Sequence, residues 1–185
     1  MIDDTLREAD SNMDKAVEFA KEEFAAIRTG RAHPAMFAKI TADYYGSQTP
    51  IQQLASFHIP EPRVVVISAY DRNSVSAIEK AIRDSDLGVN PANDGTVIRL
   101  VMPELTEERR KEYIKLAKSK AEDGRVAIRN IRRHAKQTLD KMERDGDAGK
   151  DEVMSAEKRL DGFTKKHVDA VDDLLKHKEA ELIEV

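Results

Sequence analysis

The chain has 185 residues, of which 36% are charged and 5% aromatic, with no Trp, no Cys and a net charge of −4. Without Cys there is no disulfide framework and no thiolate nucleophile or metal site, and so charge-rich a chain favours long solvated helices over a bulky core. No apolar run approaches the ~20 residues that span a bilayer, and the acidic start, Met1 to Glu8, lacks the regions of a secretory signal, so a soluble cytoplasmic monomer with no membrane partner is expected.

From Ile2 to Ile27 apolar residues recur at helical spacing: Leu6, Ala9, Met13, Ala16, Ala20, Phe24 and Ile27. This predicts a helix about 40 Å long that Gly30 ends, with Pro34 beyond. The pattern then turns extended. Lys39–Tyr44 alternates and stops at Gly46-Ser47, and Thr49–Ala55 and Ser56–Ile59 read as short extended pieces. Arg63–Ser68 is a strand by its β-branched content. Ser74–Ser85 reads as a helix with Val75, Ile78, Ala81 and Ile82 on one side and Ser74 as its cap. Asp94-Gly95 marks a hairpin turn, and Thr96–Met102 closes the sheet.

A second long helix begins after Pro103, with Thr106 placed to cap it and acids in its first turn. Its apolar stripe runs through Ile114, Ala117, Ala121, Gly124, Ile128, Ile131, Ala135 and Met142. Asp145–Gly149 breaks the helix. A third follows, with Val153, Ala156, Leu160, Phe163, Ala170, Val171 and Leu174 facing inward and His167 continuing the stripe. Narrow apolar stripes on three long helices need one another, so the predicted class is α+β. An antiparallel three-helix bundle (residues 1–30 and 105–185) carries an inserted β/α/β module (31–104). Two crossings join them, Thr29, Gly30, Arg31, Ala32 and Met102, Pro103, Glu104, Leu105, and so few connections make a hinge.

Charge along the chain is uneven. Residues 106–136 hold eleven basic and five acidic side chains, while residues 1–30 hold four basic and eight acidic ones. Arg125, Arg129, Arg132 and Lys136 follow the 4-3-4 spacing of one helix face, with Arg133 beside them. Carried backward, the register adds Lys111, Lys115, Lys118 and Glu122, a cationic edge of roughly 37 Å at ~1.5 Å per residue. Such an edge fits a phosphate backbone better than a small molecule. The competing reading is a solvated face paired with acids at i±4. It accounts for Glu107 to Glu122, but between Arg125 and Lys136 no acid is expected within reach along the helix; Asp169–Asp173 on the third helix could neutralise the edge across the bundle.

Catalytic chemistry has little to stand on. His33, His58, His134, His167 and His177 are scattered without metal-ligand spacing to a carboxylate. Phosphate-loop and dinucleotide motifs are absent. No catalytic residue, metal or cofactor is expected. A helical adaptor that binds proteins is the alternative to RNA binding, and its partner would survive ribonuclease.

Four segments carry a resemblance: Phe24–Pro34, Leu87–Gly95, Ile98–Glu112 and Arg125–Arg133. Together they resemble bacterial ribosome recycling factor over essentially the whole chain. The resemblance implies an L-shaped molecule whose bundle contacts large-subunit ribosomal RNA and whose smaller module meets elongation factor G. It implies splitting of the post-termination ribosome with that partner and GTP, and no hydrolysis by the chain itself. Arg132 sits at the family's key arginine, flanked by Arg129 and Arg133. Arg110 matches the second arginine of the Thr-Glu-Glu-Arg-Arg motif, and Arg28, Gly30 and Arg31 match the bend motif. Many members have an acid where this chain has His134, followed by Lys136, which makes the patch more basic.

Overall fold

The first apolar stripe forms α1, Ile2–Ala25, in a computed structural model that describes residues 1–184. Leu6, Ala9, Met13, Ala20 and Phe24 are buried along it, as the spacing requires. The helix stops short of Gly30: Ala26 is its C-cap, and its N–H bonds back to Glu22 O. Ile27 lies beyond the cap yet is buried, which is why the stripe outruns the helix. The chain divides into two compact units, Met1–Arg28 with Glu108–Glu184, and Thr29–Glu107.

In the first unit α1 packs with two longer helices, α4, Glu107–Arg144, and α5, Lys150–Glu184. Ion pairs report the directions. Lys120–Glu23 at 3.0 Å joins α4 to α1 head to tail, and Arg132–Asp161 at 2.7 Å does the same for α4 and α5. Arg159–Asp3 at 3.1 Å and His167–Asp14 at 2.6 Å make α1 and α5 parallel. The bundle is therefore up-down-up. Ala117, Ala121, Gly124, Ile128, Ala135, Leu139 and Met142 form the buried stripe of α4. The turn into α5 satisfies the last carbonyls of α4: Gly146, at φ +74°, donates to Glu143 O at 3.2 Å, and Asp147 donates to Met142 O at 2.9 Å.

The second unit holds two antiparallel sheets. The strands β1, Thr41–Tyr44, and β2, Ser47–Pro50, pair as a hairpin. Tyr45 (φ 51°) and Gly46 (φ 85°) supply the two positive φ angles of its turn. The larger sheet has the order β3-β4-β6-β5, with β3 Ala55–Glu61, β4 Val64–Ala69, β5 Ala92–Asn93 and β6 Val97–Val101. Val65 faces Leu100 and Ile67 faces Ile98 across the β4–β6 register, and all four are buried. The helix α3, Val75–Arg83, lays Val75, Ile78 and Ile82 into the same core. The α+β class, with helical bundle and β/α/β arrangement, is the one the periodicities predict.

Two local expectations are corrected. Ile51–Leu54 is a single helical turn, α2, and not extended chain. A separation of three places Ile51 and Leu54 on one side of a turn, and both are buried. Ser74 does not cap α3 with its side chain. Its hydroxyl donates to Asp71 O at 2.6 Å, and it is Asp71 that accepts the Asn73 N–H, at 2.9 Å.

Candidate nucleic-acid interface

The cationic edge of α4 lies next to its buried stripe and flanks α5, so its side chains divide between bonds to α5 and reach into solvent. Arg125 belongs to the first kind. Its Nε donates to Asp172 Oδ1 and its Nη1 to Glu122 Oε2, both at 2.8 Å, and its side chain is 20% exposed. The bond to Asp172 raises its pKa, so this guanidinium stays charged while clamping α4 to α5.

Arg132, seven residues on, is held differently. Its Nε donates to Asp161 Oδ1 at 2.7 Å, and the side chain is 38% exposed. Arg129 is exposed and reaches Glu122 Oε1 from Nη1 at 3.4 Å. Arg133 is exposed and donates to the side-chain oxygen of Asn130. The Lys136 ammonium is 3.5 Å from Asp140 Oδ2. Lys111, Lys115 and Lys118 continue the edge as exposed side chains. Arg125, Arg129, Arg132, Arg133 and Lys136 thus share one stretch of helix.

Carboxylates reach this edge both along α4 and across from α5. The expectation that no acid of α4 reaches Arg125–Lys136 is wrong: Glu122 meets Arg125 and Arg129, and Asp140 meets Lys136. Glu122–Arg125 and Lys136–Asp140 lie at i+3 and i+4, within the rule, and long side chains add Glu122–Arg129 across two turns. Asp172 fulfils the expected neutralisation across the bundle. Asp161 was not foreseen, because pairing it with Arg132 requires the register of two antiparallel helices.

His134 does not extend the patch. It lines a groove between α1 and α4 with Thr5, Glu8, Asn12, Ile131 and Thr138. Two residues past Arg132 is about 200° around the helix, which turns the imidazole towards α1 and away from Arg132. Arg110 is half-buried at the other end of α4, roughly 33 Å from Arg132 at ~1.5 Å per residue. Arg28 is half-buried beyond the end of α1, and Arg31 is exposed in the second unit.

Of the two crossing segments, parts are firmly held. The Ala32 N–H donates to Pro62 O and the Met102 N–H to Arg63 O, both at 2.7 Å, and both side chains are buried. Within Thr29–Arg31 the Arg31 N–H donates to Thr29 Oγ1 at 3.3 Å. Pro103 and Glu104 are exposed, Leu105 is half-buried, and Glu104 pairs with Arg63 at 3.3 Å.

Among the described residues, one group has the donor set for a metal: Asp10, Asp14 and His167, whose ligand atoms lie within 4.8 Å of one another. The sequence spacing does not reveal it, since the acids are on α1 and the imidazole is on α5. The ring is already engaged on both sides, with Nδ1 2.6 Å from Phe163 O and Nε2 2.6 Å from Asp14 Oδ1. It serves as a buried strut between the parallel helices.

A family model described as ribosome recycling factor matches residues 20–183. The ribosome-recycling factors of Nocardioides sp. and Kineococcus radiotolerans are 66% and 65% identical over 185 residues, covering 100% of both chains in each case. A solution structure of the ribosome recycling factor aligns with a TM-score of 0.75 and 42% identity, over 100% of this chain and 98% of that one. A second structure places the T. thermophilus factor and E. coli elongation factor G on the E. coli post-termination complex; it aligns with a TM-score of 0.65 and 40% identity, over 99% of each chain.

Proposed function

The chain belongs to the ribosome recycling factor family, and from that membership we propose how its residues carry the work. It binds the post-termination ribosome and, with elongation factor G and GTP hydrolysis by that partner, splits it into subunits and frees it for another round of translation. It acts in the cytoplasm, where those ribosomes are, and is not itself an enzyme.

The α4 edge is the anchor on large-subunit ribosomal RNA. The observation that carries this is the partition of the edge: Arg125 is consumed by two carboxylates, while Arg129, Arg132 and Arg133 keep guanidinium groups at the surface. Guanidinium suits this task because its planar fork meets phosphate oxygens two at a time and stacks on bases. The net charge of −4 is no obstacle. Charges further away than a Debye length, ~8 Å at physiological salt, are screened. Arg28, Arg31 and Arg110 serve as further RNA contacts outside the Arg132 stretch.

The second unit moves on the crossings. Ala32 and Met102 are tied to the β3–β4 turn, so the bending falls to Thr29–Arg31 and Pro103–Leu105. Gly30 eases it, having no Cβ to restrict its backbone. Elongation factor G displaces the second unit, and the stiff helices transmit the displacement to the contacts between ribosomal subunits.

The test is light scattering of purified post-termination ribosomes with this protein, elongation factor G and GTP. The parent should split them. Arg132→Ala should bind more weakly, with a shallower dependence on salt, because fewer counterions are released. A binding curve unchanged at every salt concentration removes the anchor from Arg132. Deleting one residue within Thr29–Ala32 should leave binding near normal and stop splitting; normal splitting by that variant refutes the hinge.

A further inference from the structure

We propose that Asp161 on α5 is a positioning residue for Arg132, holding its guanidinium by Nε so that the Nη1–Nη2 edge faces outward, ready for a phosphate. The inference rests on the reading of Arg132 as an RNA anchor and adds the residue that aims it.

A guanidinium has two edges that can grip an oxyanion in parallel, one made by Nε and one Nη, the other by the two Nη atoms. In Arg132 the Nε–H is taken by Asp161 Oδ1 at 2.7 Å. Neither Nη atom is used in that contact, and the side chain is 38% exposed. In Arg125, by contrast, Asp172 takes Nε and Glu122 takes Nη1, leaving a side chain only 20% exposed. Asp161 and Asp172 are eleven residues apart, three helical turns, so one flank of α5 supplies both carboxylates. The same flank therefore locks one arginine and aims the other.

An unpaired arginine on a helix surface samples many rotamers and loses that freedom when it docks. Tethering Nε removes part of the cost beforehand. Asp161 also carries a negative charge close to where a phosphate would come, which opposes binding. Positioning and repulsion have opposite signs, so substitution at Asp161 separates them.

The experiment measures ribosome binding by the full-length protein across a salt series, for the parent, Asp161→Ala, Asp161→Asn, Arg132→Ala and the Asp161→Ala/Arg132→Ala double variant. Asp161→Ala should weaken binding about three- to tenfold although it removes a negative charge. Asp161→Asn, which keeps an acceptor oxygen for Nε, should bind within about twofold of the parent. In the Arg132→Ala background the Asp161→Ala change should cost nothing, since the group it aims is gone. Tighter binding by Asp161→Ala overturns the proposal, as does an equal loss in both backgrounds. If Arg132→Ala weakens binding and Asp161→Ala does not, the positioning role fails and the anchor stands. If Arg132→Ala binds like the parent, the anchor reading fails and the positioning role falls with it.

Discussion

Gly124 of α4 packs directly against Ala20 of α1: a Cβ built on Gly124 would stand 3.4 Å from the Cβ of Ala20, and 3.5 Å from a methyl of Val171 on α5. Glycine here lets three helices converge, yet the space beside it is just large enough for one more carbon. Gly124→Ala should stabilise the bundle slightly, by about 0.5 kcal/mol, since the helix gain of ~0.8–1.0 kcal/mol is partly offset by tight contact. Gly124→Leu should destabilise it by about 1–3 kcal/mol through overpacking. Urea denaturation midpoints distinguish the two signs.

Gly162 gives the control for that substitution. It lies inside α5, and a Cβ there would meet nothing within 4 Å. Gly162→Ala should therefore gain the helix-propensity term undiminished, about 0.8–1.0 kcal/mol. A thermal melt showing no gain would mean that α5 frays around this position.

The two clamped arginines should differ when truncated. Arg125→Ala breaks a partly buried clamp and leaves Asp172 and Glu122 without their cation, so a stability loss of about 1–2 kcal/mol is expected. Its ribosome binding should fall less than that of Arg132→Ala. Denaturation and ribosome binding measured on both variants check the crossover.

His167 joins α1 to α5 from a position 3% exposed. His167→Ala removes contacts to Phe163 O and Asp14 and leaves a cavity, so a loss of about 2–4 kcal/mol is expected. His167→Ala with Asp14→Ala should be less than additive if the two form one strut. Additive losses in the denaturation midpoints would place the effect elsewhere.

In the second unit, acid should loosen the surface around Asp71. Its pKa is lowered from 3.8, first by the Asn73 N–H, with Tyr44 and Tyr45 donating to the same carboxylate at 3.1 and 3.2 Å. A depressed folded value means the contribution is present above the unfolded value and is lost as pH falls through the folded one. The Asp94 turn behaves alike, lowered first by the Val97 N–H and then by that of Thr96. Carboxyl chemical shifts followed by NMR should show both titrating below 3.8; a midpoint at or above it contradicts these bonds.

Repetition made most of the fold legible in advance. Seven turns of α4 repeat one apolar stripe, and β4 announces itself with Val64, Val65, Val66 and Ile67. Short elements and single hydroxyls were not legible in the same way. Ile51–Leu54 makes one helical turn because its two apolar residues both reach the core, a tertiary demand that overrides its extended look. Arg125, Arg129, Arg132, Arg133 and Lys136 were readable as one helical edge, and Asp172 as an acid that meets it across the bundle, but the remaining partners were not. Glu122 serves Arg129 from seven residues away, Asp161 meets Arg132 across an interhelix register, and His167 finds Asp14 at a separation of 153 residues. Glu122–Arg129 lies beyond i±4 reach within α4, while the Arg132–Asp161 and His167–Asp14 bonds belong to the packing of separate helices.

The order in which the chain is made gives the up-down-up bundle a history. Because α1 comes first and α5 last, the bundle cannot close until residues 29–107 and both later helices have been synthesised. The intervening unit carries its own sheet and core, so it can fold as it emerges. Meanwhile Leu6, Met13 and Phe24 wait without partners. The eight acidic side chains among residues 1–30 outnumber its four basic ones, so copies of that waiting segment repel one another while its apolar stripe is uncovered.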